Sequence, residues 1–161
     1  MTRDAPTALI ISWVWVWVWV AISLLHHAQG VRVSRVSLPQ PALVGEPASL
    51  RCHFSTPNGT FFSVRWYKDE RQFYSFVPDR TPVKQAHYLP GLFVEVPESD
   101  EHVVQLRRVE VDNEGVYSCE VIGGKPFFKS SSSTANLSVA CELRMRMKQL
   151  IRITNIGKRV V

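Results

Sequence analysis

The side chains best suited to chemistry in this sequence are histidines and cysteines, and the histidines show no spacing typical of a catalytic or metal site. Beyond the N-terminal segment they are His53, His87 and His102, which fall on three different parts of the chain. A zinc site or a nucleophile–base pair needs several ligands at spacings that bring them together. The sequence also lacks HExxH, GxSxG and Gly-rich phosphate-binding motifs. We therefore expect no enzyme activity, no metal and no cofactor.

Two of the three cysteines have a spacing that suits a structural disulfide. Cys52 and Cys119 are 67 residues apart, Trp66 follows the first by 14 residues, and Tyr117 precedes the second by two. Asn113 stands where this run usually has an aspartate, which leaves the customary ion pair with an arginine such as Arg80 in doubt. The remaining residues match the disulfide, the tryptophan that packs on it and the corner tyrosine of an immunoglobulin-like sandwich.

The elements that would position these residues are short segments with period-two alternation, separated by turn residues. They cover residues 31–36, 48–54, 62–66, 72–77, 92–96, 103–109, 116–122 and 134–139. Such a pattern predicts an all-β sandwich or barrel. The cysteine and tryptophan spacing decides between them, and predicts an immunoglobulin-like V-type β-sandwich with one inter-sheet disulfide.

The first 30 residues have the features of a secretory signal peptide. A nearly unbroken apolar run from Ala8 to Leu25 is followed by Ala28 and Gly30, small residues at the positions of a cleavage site. The alternative is an uncleaved membrane anchor of similar length. We expect a secreted, extracellular protein, or one that this leader tethers to a membrane.

Charge distinguishes the predicted domain from the C-terminal tail. Residues 31–140, the predicted domain, carry 12 basic and 12 acidic side chains, a net charge of zero. Residues 141–161 carry six basic and one acidic side chain, a net charge of +5. A neutral domain has no long-range attraction for a phosphate backbone, so we expect no nucleic-acid partner.

The basic tail, residues 141–161, allows three interpretations. It is disordered, it is an amphipathic helix that lies on a membrane, or it is translated intron from an error in the gene model. Cys141 is left over after the predicted disulfide, and in a secreted chain it would be free or would pair with another molecule.

Two sequons predict N-glycosylation, at Asn58 and at Asn136. Asn58 lies in a predicted turn and should be accessible. Asn136 lies on the last predicted strand, where occlusion is as reasonable as exposure.

Alternation also predicts a partner-binding face. With Trp66 and Cys119 inward, their neighbours Arg65, Tyr67 and Glu120 point outward from the same sheet. The next strand and a late loop add aromatic side chains, and arginine and aromatic residues are enriched at protein interfaces. The alternative is that half of these aromatic side chains pack under loops and form no binding surface. The predicted face comprises Arg65, Tyr67, Tyr74, Phe76, Glu120, Phe127 and Phe128.

Residues 50–54, 62–68 and 72–78 (LRCHF, FSVRWYK and QFYSFVP) resemble the first immunoglobulin domain of the insect beaten path family. Residues 89–94 and 119–128 extend the similarity. The resemblance implies an axon-guidance ligand, secreted or membrane-tethered, that binds sidestep-family immunoglobulin receptors through the face described above. Members of that family continue into a second immunoglobulin-like domain, whereas this chain continues into the basic tail.

The leading hypothesis is therefore an extracellular recognition protein whose partner is a sidestep-like cell-surface immunoglobulin protein. One alternative is a soluble immune or pathogen-binding factor. The other assigns the activity to the tail, as a membrane-active basic peptide; contact with a membrane is otherwise expected only if the leader is retained.

Overall fold

The computed structural model describes residues 17–20, 30–56, 59–125 and 128–141. The chain forms two compact units, residues 1–30 and residues 31–161. In the first unit Trp17–Val20 are helical, and across the described ranges no helix is long and apolar enough to span a membrane. Most of the predicted signal peptide, the tail after Cys141, Asn58 and Phe127 lie outside the described residues.

The second unit is built from strands. In chain order they are β1 (Arg32–Ser37), β2 (Ala42–Leu43), β3 (Ala48–Ser55), β4 (Phe61–Lys68), β5 (Arg71–Phe76), β6 (Lys84–Ala86), β7 (Val103–Leu106), β8 (Gly115–Gly123), β9 (Ser130–Leu137) and β10 (Val139–Ala140). A single 3-10 turn, Val111–Asn113, precedes β8 in the described chain.

These strands form two antiparallel sheets that face each other. One sheet has the order β1-β3-β7, the other has the order β6-β5-β4-β8-β9, and β10 pairs in parallel with β2. The disulfide Cys52–Cys119 links β3 to β8 with a Cα–Cα distance of 6.1 Å. The predicted all-β V-type sandwich with one inter-sheet disulfide is confirmed.

The core lies between the sheets, where alternation directs apolar side chains inward. Leu50 and Cys52 are buried on β3, and Val121 is buried on β8. Trp66 lies opposite Cys119 in the β4–β8 pairing and is completely buried. Fully burying an aliphatic side chain such as Leu50 or Val121 stabilises a fold by about 1.5–3 kcal/mol, so this layer holds the two sheets together.

The segment predicted as a strand over residues 92–96 is less regular than expected. It contributes isolated bridges, Leu89 to Leu92 and Val94 to Leu106. Hydrogen bonds from Glu95 N to the Gln105 carbonyl and from Arg107 N to the Phe93 carbonyl still join it to β7. Proline limits the ladder because it supplies no N–H donor, and prolines 90 and 97 flank this segment.

The corner before β8 is held by buried hydrogen bonds. The Tyr117 hydroxyl donates to the Asn113 carbonyl at 2.9 Å, and burial raises the pKa of that hydroxyl. The Asn113 side chain is also buried; its Nδ2 donates to the Gly91 carbonyl and its Oδ1 accepts from Glu110 N, each at 2.8 Å. An amide serves here because it both donates and accepts, which a carboxylate cannot do.

Candidate partner-binding surface

The outer face of the five-stranded sheet is polar along its centre. Side chains of paired residues in antiparallel strands share a face. Arg65 lies opposite Glu120, and Tyr67 lies opposite Ser118. On the next strand Ser132 and Thr134 continue these two rows. The register therefore brings Arg65, Tyr67 and Glu120 together.

Tyr67 and Glu120 are linked directly across β4 and β8. The Tyr67 hydroxyl donates to Glu120 Oε2 at 3.0 Å. Partial burial raises the pKa of Tyr67, and the Glu120 carboxylate raises it further, while Arg65 acts in the opposite direction. The phenol therefore stays protonated at neutral pH and remains a donor. A hydrogen bond to a charged acceptor orients both side chains before any partner arrives.

Beside this pair lies an open depression of about 710 Å³. Its lining combines carboxylates and hydroxyls with one apolar side chain, Val116, which is 47 % exposed. The lining residues are Tyr67, Asp69, Glu70, Val116, Ser118, Glu120, Ser132 and Thr134. Among the described lining residues there are three carboxylates and no basic side chain. Lys68, outside the lining, already pairs with Asp69, so Glu70 and Glu120 are the carboxylates that favour cationic and hydrogen-bond-donating groups.

The β4–β5 turn supplies two of these carboxylates. Asp69 and Glu70 adopt φ values of 46° and 66°, as the two central residues of a primed hairpin turn do. The Asp69 carboxylate accepts hydrogen bonds from Lys68 Nζ and from Val116 N. These bonds, the one from Lys68 first, lower the pKa of Asp69. Gly115, beside it, has a φ of 149°, and a Cβ there would lie 2.7 Å from the Asp69 oxygens. Any other residue would therefore strain the backbone and displace the Asp69 carboxylate.

The prediction that Tyr74 and Phe76 belong to the partner-binding face is wrong. Trp66 pairs with Tyr74 but Tyr67 pairs with Gln72, so β5 contains one extra residue, Phe73. This bulge directs both Phe73 and Tyr74 into the core, where each is fully buried. Phe76 follows Tyr74 by two residues and packs against the core as well.

A second irregularity exchanges the two phenylalanines at the start of β4. The pairing with β8 shifts between Phe61 and Ser63. Counting in steps of two from the inward Trp66 would place Phe62 inside and Phe61 outside. In the structure Phe61 packs against the core and Phe62 is 40 % exposed. Phe62 meets Phe128, an exposed predicted site residue, edge to face at 5.5 Å. This pair forms an apolar end to the face that counting from Trp66 did not reveal.

Asn136 also lies on this face. It pairs with Val116 and is exposed. Its main-chain carbonyl accepts a hydrogen bond from Gln40 Nε2. The occlusion considered from the sequence is therefore not present in the folded domain.

The opposite sheet offers less. A smaller depression of about 280 Å³ lies over β1, β3 and β7, with Arg51, His53 and His102 in its lining. His53 bonds to Ser37, and the His102 ring stacks on Phe54 with centroids 4.4 Å apart. Within the part of the chain that the structure describes, no three His, Cys, Asp or Glu side chains are placed to hold a metal ion.

Comparison with solved structures shows the fold again. A marsupial T cell receptor aligns with 16 % identity and a TM-score of 0.51, over 69 % of this chain and 38 % of the receptor chain. The insect immune protein hemolin aligns with 14 % identity and a TM-score of 0.50, over 72 % and 26 %. Murine CEACAM1b aligns with 19 % identity and a TM-score of 0.50, over 66 % and 54 %. This chain thus spans only about a quarter to a half of those chains.

Sequence comparison supplies the family. No curated protein matches the chain. The model of the immunoglobulin V-set domain matches residues 36–140, which are 105 of the 161 residues. Those residues run from the end of β1 to β10 and include the disulfide, Trp66 and the corner tyrosine. The chain belongs to the immunoglobulin V-set domain family.

Proposed function

We propose that this chain is an extracellular recognition protein that binds an immunoglobulin-superfamily cell-surface protein through the outer face of its five-stranded sheet. The contact is centred on Arg65, Tyr67 and Glu120. It extends over the depression beside them and, at the other end, to the Phe62–Phe128 pair. The protein acts by binding and not by catalysis.

The observation that carries this proposal is the preorganised cluster at the centre of the face. Arg65, Tyr67 and Glu120 are half-buried, and the hydrogen bond from Tyr67 to Glu120 restricts both side chains before binding. Tyrosine and arginine, together with tryptophan, are enriched at interface hot spots. Side chains that are already ordered lose less conformational entropy when a partner docks.

Charge indicates what the partner presents. The three carboxylates of the depression are Asp69, Glu70 and Glu120, and Arg65 lies immediately beside Glu120 on the pairing strand. A complementary surface places Lys or Arg over the depression and an acceptor over Arg65. Such complementarity acts mainly on specificity and on the association rate.

The resemblance to the beaten path family refines the partner to a sidestep-like receptor. One of the runs that carry it, FSVRWYK, is the sequence of β4 from Phe62 to Lys68 and includes Arg65 and Tyr67. The leader-like segment supports secretion or membrane tethering.

The test is an interaction screen against cell-surface immunoglobulin proteins, including sidestep-type receptors. Wild-type protein is compared with the triple variant Arg65→Ala, Tyr67→Ala and Glu120→Ala. The matched controls are Arg51→Ala, an exposed arginine on the other sheet, and Glu46→Ala in the β2–β3 turn. We expect the triple variant to lose the partner and both controls to keep it. A triple variant that folds and binds like wild type would show that the contact lies elsewhere.

A further inference from the structure

We infer that Asn136 is a steric gate on the proposed partner-binding face, so that an N-glycan on Asn136 and a partner docked at Tyr67 and Glu120 exclude each other. The inference rests on the proposed function for the identity of what is excluded. The geometry of the gate itself is independent of it.

The position of Asn136 follows from the β8–β9 register. Val116 lies opposite Asn136, Ser118 lies opposite Thr134, and both Val116 and Thr134 line the depression. Thr134 and Asn136 are two residues apart on one strand and therefore point to the same side, about 7 Å apart. Asn136 thus stands at the rim of the depression, next to Val116, the apolar side chain of its described lining.

The Asn136 side chain is free to carry a large group. It is exposed, and among the described residues it makes no side-chain hydrogen bond, whereas its backbone is engaged by the β8 pairing and by Gln40. A glycan therefore displaces no contact of the fold. It must occupy the space above the outer face, because the side chain points there.

The attachment chemistry uses the side-chain amide of Asn136. The Asn136 amide nitrogen bonds to the anomeric carbon of an oligosaccharide carried on a lipid diphosphate. The bond from that carbon to the diphosphate oxygen breaks, the lipid diphosphate leaves with the electron pair, and one amide proton passes to solvent. Ser138 completes the acceptor sequence. Because β9 pairs along its whole length with β8, the direction of the Asn136 side chain is fixed, and the folded chain keeps the sugar on this face.

The reach of a glycan covers the proposed contact. Neighbouring strands are about 4.8 Å apart, so β4 with Tyr67 lies about 10 Å from β9. A hydrated, branched oligosaccharide attached at the rim is long enough to extend over this distance. It blocks close approach of a second protein surface, since a specific interface excludes water from its centre.

The experiment uses the full chain secreted from cells that add N-glycans. Wild type is compared with Ser138→Ala, which removes the sequon but keeps Asn136, and with Ser138→Thr, which retains the sequon. Asn58→Gln removes the other sequon. Mass spectrometry measures occupancy of Asn136, and thermal unfolding checks that all four proteins are folded.

Two readouts then separate the gate from the proposed function. Hydroxyl-radical labelling reports access to Tyr67 and Val116, with Tyr88, 86 % exposed and outside the set lining the depression, as internal reference. We expect Ser138→Ala to raise labelling of Tyr67 and Val116 several-fold over wild type and Ser138→Thr, with Tyr88 unchanged. We also expect it to bind the sidestep-type receptor about tenfold more tightly or better.

The gate is overturned if Asn136 is unoccupied in the secreted wild type, or if Tyr67 labels equally with and without the sequon. If labelling responds as expected but no form binds an immunoglobulin protein, the gate stands and the proposed function fails. If the receptor binds all forms equally despite the labelling difference, the glycan does not exclude the partner and the inference is wrong.

Discussion

Asn113 is the residue whose removal should most clearly expose how the corner before β8 is held. In the variant Asn113→Ala, the Glu110 N–H loses its acceptor and the Gly91 carbonyl loses its donor. Each polar group left unpaired in a buried setting costs about 1–3 kcal/mol. Both groups lie in partly buried residues, so we expect about 1–2 kcal/mol for each, which makes a loss of about 2–4 kcal/mol in the free energy of unfolding.

Urea unfolding of the oxidised protein measures this loss as a lower midpoint at unchanged slope. Asp112→Ala is the matched control, because Asp112 lies in the same 3-10 turn and is exposed. It should change stability by less than about 0.5 kcal/mol. Equal midpoints for the two variants would refute the role assigned to the Asn113 side chain.

Asn113→Asp adds a pH dependence with a definite sign. The carboxylate retains an acceptor for Glu110 but cannot donate to Gly91 unless it is protonated, so folding raises the pKa of that carboxyl above its ordinary value of about 3.9. The loss of stability of Asn113→Asp relative to wild type is therefore smallest in acid, and it grows as the pH rises through the pKa of the folded state. A deficit that shrank towards neutral pH would indicate an ion pair, as with Arg80, in place of the hydrogen bond to Gly91.

The disulfide, the β4–β5 turn and the Tyr67–Glu120 pair give three further expected outcomes. Reducing the Cys52–Cys119 bond, which closes a separation of 67 residues, should cost about 4 kcal/mol of stability by urea unfolding, whereas Cys141→Ser should have no effect. Glu70→Gly should raise stability by about 0.5–1 kcal/mol in the same assay, because Glu70 has a φ of 66° that glycine adopts without strain; Glu70→Ala should not. NMR titration should find the pKa of Tyr67 above its ordinary value, with Glu120→Gln bringing it down while the burial contribution remains. Because the folded pKa is raised, Tyr67 contributes stability below pH about 10 that is lost as the pH rises through the folded pKa.

The fold was predictable because its signals are local or depend on one spacing. Alternation in β3 and β8 identifies the inward side chains, and Cys52, Trp66 and Cys119 then select a sandwich over a barrel. These signals do not depend on where each strand begins or ends, because the inward side chains of a strand are identified by alternation alone.

The candidate surface was predictable only where that parity is unbroken. Arg65 and Tyr67 flank Trp66, and Glu120 follows Cys119, so one step along the strand places each of them outside. Tyr74 lies beyond the bulge at Phe73, and Phe62 lies at the bulge between Phe61 and Ser63. One additional residue reverses which side chains point inward. The local sequence does not indicate either bulge.

The rim of the depression depends on strand pairing and not on parity alone. Asp69 and Glu70 come from a turn, and Thr134 and Asn136 from a strand whose inward side chains include the small residues Ser133 and Ala135. When the two faces of a strand differ little in hydrophobicity, the sequence alone specifies its register only weakly. Only the pairing with β8 shows that Asn136 faces outward.

The proposed contact with the partner lies on the outer face of the five-stranded sheet. Photo-crosslinking locates a contact directly. In one protein p-benzoylphenylalanine replaces Ser118, which lies between Tyr67 on β4 and Thr134 on β9. In a second protein it replaces Arg51 on the opposite sheet. Incubated with the receptor from the interaction screen, the protein labelled at position 118 should form the covalent complex and the one labelled at position 51 should not. Crosslinking from position 51 alone, with both proteins folded, would show that the partner binds the opposite sheet.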